Sequence, residues 1–264
     1  MKKLQIIFIL LFSLAACEQV DIVEIDQEHF SSIVIKAKLI SEQIFDGVSI
    51  TRTQPLSQPY EIKSAEIINA TVYIKINEAQ VIPLYYKADG KYLPKHELTI
   101  KANNIYELFA KIDGNIYYSI TNIPRAPQIG KITLVDKKYM NIEINILPNT
   151  AYGAIWQINS NSAITNSDDF YSITSSEKEK RNTITIRTQD IPTEFFDNNL
   201  GDQIYGKVFS FDQAFHKYFL TKGKNKLIGN TFVQSGGNVE WNVQGENVIG
   251  LFIGMAESKF IRFN

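Results

Sequence analysis

A single cysteine, Cys17, and three widely separated histidines, His29, His96 and His216, occur in the 264-residue sequence. The first shortage excludes a disulfide framework, and the two together exclude a zinc site built on clustered Cys and His at ligand spacing. Neither sign of charge dominates: 27 Lys and Arg stand against 28 Asp and Glu, for a formal net charge of −1. The chain therefore carries no electrostatic footprint for nucleic acid. The hydrophobic stretch from Leu4 to Ala16, interrupted by Gln5 and Ser13, falls short of the about 20 apolar residues that cross a bilayer as a helix. Dinucleotide-binding, phosphate-loop and Gly-x-Ser-x-Gly nucleophile motifs are all missing from the sequence. What is plentiful is Ile, with frequent Thr, Val, Tyr and Phe, in a chain that is 44% hydrophobic and 21% charged. That composition supports a buried core and favours pleated sheet.

Lys2 and Lys3 precede the short apolar stretch as the positive end of an export leader. The stretch closes on Leu14-Ala15-Ala16-Cys17, which resembles a bacterial lipobox. At such a site the cysteine thiol is diacylglycerylated, the leader is cut just before it, and the new amino group is acylated. The sequence predicts a leader over 1–16 and lipidation of Cys17. One acyl chain, at about 0.8 kcal/mol per buried methylene, holds a protein only marginally, whereas two or three hold it stably. Loss of Lys2 and Lys3 with the leader leaves 25 basic residues against 28 acidic, a net charge near −3.

Residues 17–30 carry Glu18, Asp21, Glu24, Asp26 and Glu28 with no basic residue and read as an acidic tether. From Ser31 onward the period is two. Ile33, Ile35, Ala37 and Leu39 share one face with Lys36 and Lys38 opposite, and Val72, Ile74 and Ile76 repeat the pattern. Tyr106, Leu108, Ala110 and Ile112 do so again, with Glu107 and Lys111 outward. Asp46-Gly47, Asp89-Gly90 and Asp113-Gly114 supply turns, the last within a hairpin from Lys111 to Tyr117. Pro124 and Pro127 then interrupt the alternation. Beyond them Met140, Ile142, Ile144 and Ile146 point inward against Asn141, Glu143 and Asn145, and further strands are expected at 152–159, 170–174, 183–187 and 203–209. The expected fold is all-β and mainly antiparallel. Two sandwich-like domains of immunoglobulin or fibronectin type are expected, over 31–124 and 125–264.

Two helices break the β rule. Ile191 to Phe196 has Pro192 near N1, good for one or two turns. Over 211–222, Phe211, Ala214, Phe215, Tyr218 and Phe219 form one apolar stripe, with Ser210 and Gln213 spaced as a capping box and Gly223 at C′. This stripe is expected to pack across the second sheet.

The strand 203–208, the aromatic helix Asp212 to Phe219, Phe232-Val233 leading to Asn238, and the run Val248-Ile249-Gly250-Leu251-Phe252-Ile253-Gly254 together resemble the domain-of-unknown-function 4249 lipoproteins. Ile33-Val34-Ile35, Val48 to Thr53, Asn69 to Tyr73 and Thr121 to Pro124 extend the likeness over nearly the whole mature chain. The family's glycine-rich run before the final strand is here Trp241 to Asn247, and its proline-containing approach is Val233 to Gly237. The resemblance implies an outer-membrane lipoprotein of a kind often found beside TonB-dependent receptors, with no established activity and no catalytic residues to carry over.

The residues themselves nominate no catalytic group, cofactor or metal. Asn166-Ser167-Asp168-Asp169 offers oxygen ligands but lacks the spacing of a calcium loop. The sequence points to no particular pair of carboxylates for glycoside hydrolysis. Adjacent strand residues face opposite ways, so one of Tyr85/Tyr86 and one of Tyr117/Tyr118 should be exposed. Tyr86, Tyr92, Tyr118 and Trp156 are the candidates for a ligand surface, although strand tyrosines also suit cross-strand packing. The expectation is a non-enzymatic, lipid-anchored outer-membrane protein that binds a ligand or assists a TonB-dependent uptake receptor. An envelope hydrolase of glycan or peptide, or an adhesive module, stands as the alternative.

Overall fold

Branched aliphatic residues alternating with polar ones make strands of most of the chain. The computed structural model describes residues 31–55, 58–160, 163–167, 169–177, 179, 181–197, 203–224 and 239–263. The expected leader, Cys17, the acidic segment with His29, and residues Asp168, Phe232, Val233 and Ser235 to Asn238 lie outside the described residues. Strands β1 (Ile33–Ile40), β2 (Val48–Arg52), β3 (Thr71–Ile76), β4 (Gln80–Ala88), β5 (Lys91–Pro94), β6 (Ile105–Ile112) and β7 (Asn115–Asn122) precede the prolines, with one short helix, α1 (Ile62–Ala65). After them come β8 (Gln128–Val135), β9 (Tyr139–Asn145), β10 (Thr150–Asn159), β11 (Ile164–Asn166), β12 (Thr174–Ser175) and β13 (Thr183–Arg187). The remainder is α2 (Glu194–Asp197), β14 (Gln203–Asp212), α3 (Gln213–Lys224), β15 (Val248–Glu257) and β16 (Ile261–Arg262). The fold is all-β and sandwich-like, as the alternation predicts.

The inward faces follow the sequence reading closely. Ile33, Ile35, Ala37 and Leu39 are buried while Lys36 and Lys38 are exposed, and Val72, Ile74, Ile76, Tyr106, Leu108, Ala110 and Ile112 join them in one core. Burying each large aliphatic contributes roughly 1.5–3 kcal/mol. A second core joins Met140, Ile142 and Ile144 of β9 to Tyr152, Ala154, Trp156 and Ile158 of β10. Ile123 belongs to the first core, but so do Val243 and Phe252 from beyond the prolines, so the cores do not divide at that segment.

The hydrogen-bonded ladder does not part there either. A main path of strands runs β11-β10-β14-β15-β1-β2-β5-β4-β3-β6-β7, and β13-β9-β8 form a separate three-stranded sheet. β15 lies parallel to β1 from Ile33↔Val248 to Ile40↔Met255 and pairs antiparallel with β14, which ties the two halves into one ladder. Its sequence, apolar at nearly every position, suits a strand covered on both faces. Gly250 and Gly254 admit the close approach: a Cβ would stand 2.2 Å from the Ile35 carbonyl oxygen at the first and 2.3 Å from that of Asn122 at the second.

Three local expectations shift. Helix α3 begins at Gln213, because Phe211 and Asp212 extend β14; Asp212, not Ser210, caps it, accepting a bond from the Ala214 N–H at 2.9 Å. The Ser210 hydroxyl instead donates to the Arg125 carbonyl at 2.7 Å. The helix also continues through Gly223 to Lys224. The strand expected over 170–174 reduces to Thr174–Ser175, since Phe170 turns its ring among Phe209, Phe211 and Phe219. The helical stripe packs as expected, with Ala214, Phe215 and Phe219 against Ala151, Phe211 and Ile253.

Candidate functional site

β7 ends the main ladder, and its outer edge stands between the N-terminus of α3 and the segment Glu240–Gln244. These three regions, far apart in sequence, enclose a cleft of about 520 Å³, within the range of small-ligand sites. Ile105 and Ile120 are 42% and 48% exposed and, with half-buried Trp241, give it an apolar wall. The Trp241 ring is held against that of Tyr218 at 5.3 Å. Lys217 and Glu240, both exposed, stand at the mouth with opposite signs.

The cleft's other carboxylate is committed. Asp212 accepts one N–H with each oxygen: Asn122 donates to Oδ2 and Ala214 to Oδ1, both at 2.9 Å. It thereby caps α3 and fastens β7 to β14. The opposite wall is fixed by Asn242, whose side chain donates to the Phe252 carbonyl at 2.7 Å and accepts from the Phe252 N–H at 2.9 Å. Next to it Gln244 exchanges both backbone bonds with Tyr118, at 2.8 and 3.0 Å. The walls are therefore held on three sides by bonds to main-chain groups, two of them from the side chains of Asp212 and Asn242, and what they offer is a shaped apolar surface with polar rims.

The tyrosines and tryptophan singled out by sequence do not assemble into one surface. Tyr92 is 1% exposed, donates to the Ile67 carbonyl at 2.7 Å and accepts from the Ala70 N–H. Trp156 is buried in the second core, with its indole N–H unpaired among the described residues. Both are corrections: at these positions the alternation turns the ring inward. Tyr86 is exposed and donates to Glu66 at 2.5 Å, which raises its phenol pKa and lowers that of the carboxyl. Tyr85 is exposed as well as Tyr86, because only Leu84 of β4 is fully buried, with Ile82 packed partly buried against the core. Tyr117 is buried and Tyr118 half-buried, so neither is exposed, although alternation leads one to expect one of them to be.

Tyr118 belongs to a row of rings across β7, β6 and β3. Its ring lies 4.8 Å from Phe109, which stacks on Tyr73 at 4.9 Å. This is cross-strand packing. The Tyr118 hydroxyl donates to Glu107 at 3.0 Å; burial first, then that carboxylate, raises the phenol's pKa. Glu107 itself, expected outward, is covered by this row and by Lys75, whose Nζ is 3.7 Å from Oε1. Among the described residues no three His, Cys, Asp or Glu side chains come together to hold a metal ion.

Sequence reasoning missed the cleft because its parts, Ile120, Asp212, Lys217 and Trp241, meet only through the β7 register and the return of β15. The one usable signal was the polar run Trp241 to Asn247, which stands where a glycine-rich phrase was expected.

The model of the domain of unknown function DUF4249 matches residues 19–261. The chain belongs to the DUF4249 family. No curated protein matches this DUF4249 chain. Among solved structures it is similar to a cytokine receptor complex in crystal form 2, at 11% identity and a TM-score of 0.26, covering 71% of this chain and 93% of that one. Crystal form 1A gives 10% identity, a TM-score of 0.27, and 89% and 96% coverage. A DUF3823 family protein from Parabacteroides merdae ATCC 43184 gives 11% identity, a TM-score of 0.19, and 68% and 90% coverage.

Proposed function

We propose that this DUF4249 protein is a lipid-anchored component of the outer membrane that binds a ligand or partner in the β7–α3 cleft. In this reading it is a non-enzymatic accessory of a TonB-dependent uptake receptor. The observation that carries the binding role is the cleft itself. It presents exposed Ile105 and Ile120 and half-buried Trp241 beside Asp212, whose two oxygens are already bonded. The anchor rests on Leu14 to Cys17, and the receptor on the resemblance to lipoproteins often found beside such receptors.

Two measurements test the reading. A Cys17→Ala chain, compared with the parent by membrane fractionation, is expected in the soluble fraction or unprocessed; membrane retention at mature size overturns the anchor. Affinity purification of the parent from detergent-solubilised envelopes is expected to enrich a TonB-dependent receptor, and enrichment of none overturns the partner.

A further inference from the structure

The register of β7 fixes which of its backbone groups face the open edge. Ile112 and Asn115 flank the two-residue turn Asp113-Gly114, so residues 115, 117, 119 and 121 exchange their bonds with β6. Ile116, Tyr118, Ile120 and Asn122 turn N–H and C=O outward. Tyr118 is taken up by Gln244, and the Asn122 N–H by Asp212. Between these two, Ile120 has neither backbone group bonded among the described residues.

The reason is local. If the Gln244 bridge continued as an antiparallel ladder, Asn242 would come opposite Ile120. The Asn242 side chain is instead paired to Phe252 of β15, and its carbonyl accepts from the Ser119 hydroxyl at 2.8 Å. The segment therefore leaves the edge after a single bridge and the cleft opens at the vacated position, walled by Ile105, Ile120 and Trp241. A strand edge interrupted at one outward position asks for an acceptor and a donor on one extended backbone. Lys217 and Glu240 leave the mouth without excess positive charge, which disfavours phosphate or another small anion.

We propose that the cleft takes an extended peptide segment as a short added strand, its main chain pairing with both backbone groups of Ile120. An apolar side chain of that segment lies on Ile105, Ile120 and Trp241. This inference rests on the reading of the cleft as a binding site; it is independent of the anchor and of the receptor.

The test is amide hydrogen exchange, followed by NMR, on the full chain in detergent, with acetyl-Thr-Val-Thr-Val-Thr-amide as probe. The same peptide N-methylated at every residue is the control. Without peptide, the Ile120 amide is expected to exchange about tenfold faster than those of Tyr118 and Asn122, as an unbonded edge group does. Saturating peptide is expected to slow Ile120 alone by a similar factor, and the N-methylated form to leave it unchanged. Ile120→Pro, which removes a donor the fold does not use, is expected to lose the peptide's effect on the Trp241 indole signal. An Ile120 amide as slow as Tyr118 without peptide, or equal protection by the N-methylated form, overturns the proposal. If both peptides shift the Trp241 indole and neither protects Ile120, the cleft remains a binding site and strand addition is wrong. If neither peptide perturbs any cleft signal, both this inference and the binding role fall.

Discussion

The side-chain amide of Asn242 binds both backbone groups of Phe252, donating to its carbonyl at 2.7 Å and accepting from its N–H at 2.9 Å. A side chain thus stands in for a neighbouring strand, and it does so at a residue, Phe252, that is fully buried in the first core. Asn242→Leu keeps the volume and leaves two main-chain groups unpaired. An unsatisfied buried group costs about 1–3 kcal/mol, so the two together are expected to cost roughly 2–6 kcal/mol. Urea unfolding monitored by circular dichroism measures it, and an unchanged midpoint would show that the Asn242 pairing contributes nothing.

Asp212 is the second such fastening. Asp212→Ala removes a helix cap worth about 1 kcal/mol and the tie to the Asn122 N–H. The expected result is a lower denaturant midpoint together with faster amide exchange at both Asn122 and Ala214. Asp212→Asn retains one acceptor and is expected to fall between the two; exchange unaltered at Asn122 in the alanine variant would refute the double role.

Gly254→Ala probes the approach of β15 to β7. Its Cβ would lie 2.3 Å from the Asn122 carbonyl oxygen, a backbone atom that moves only if the strand moves. Overpacking of this kind costs about 1–3 kcal/mol. Thermal denaturation is expected to show a clear fall in Tm, whereas Gly114→Ala, where the added Cβ meets nothing within 4 Å, tests the turn's positive φ of 88 degrees instead.

The pH dependence has two limbs. Burial raises the phenol pKa of Tyr152, against the pull of the Leu147 N–H bonded to it at 2.6 Å, and burial likewise raises Tyr92. A raised folded pKa means stability fully present below the unfolded value of about 10 and lost as pH climbs above it. On the acid side, the hydrogen bond from Arg187 and then that from Lys138 lower the Asp190 pKa. That contribution is present above the ordinary carboxylate range and fades as pH falls through the depressed value. Urea midpoints from pH 3 to 11 are expected to decline at both ends, and Tyr152→Phe to flatten the alkaline decline; a steep alkaline fall retained in that variant would place its origin elsewhere.

Alternation made the faces of β1, β3, β6 and β9 legible, because a strand with one covered side must repeat every second residue. The apolar stripe of α3 was legible for the same kind of reason at a period of 3.6. Its start was not: Phe211 satisfies both the helical stripe and the inward face of β14, and strand pairing with Ala151 decides the matter. Tyr92 and Trp156 were misplaced because an aromatic residue in a strand reads alike whether its ring meets ligand or core. The parallel pairing of β1 with β15 left no local trace, since register between distant strands is written in neither. Without that pairing the meeting of Ile120, Asp212 and Trp241 could not be foreseen.

β15 also governs when the molecule can become itself. The chain is made from its N-terminus, yet β1 finds its parallel partner only in residues 248–255. Contacts this distant in sequence slow folding, and until they form β1 keeps one side unpaired. The sheet that β1 belongs to is therefore incomplete until β15 has followed it.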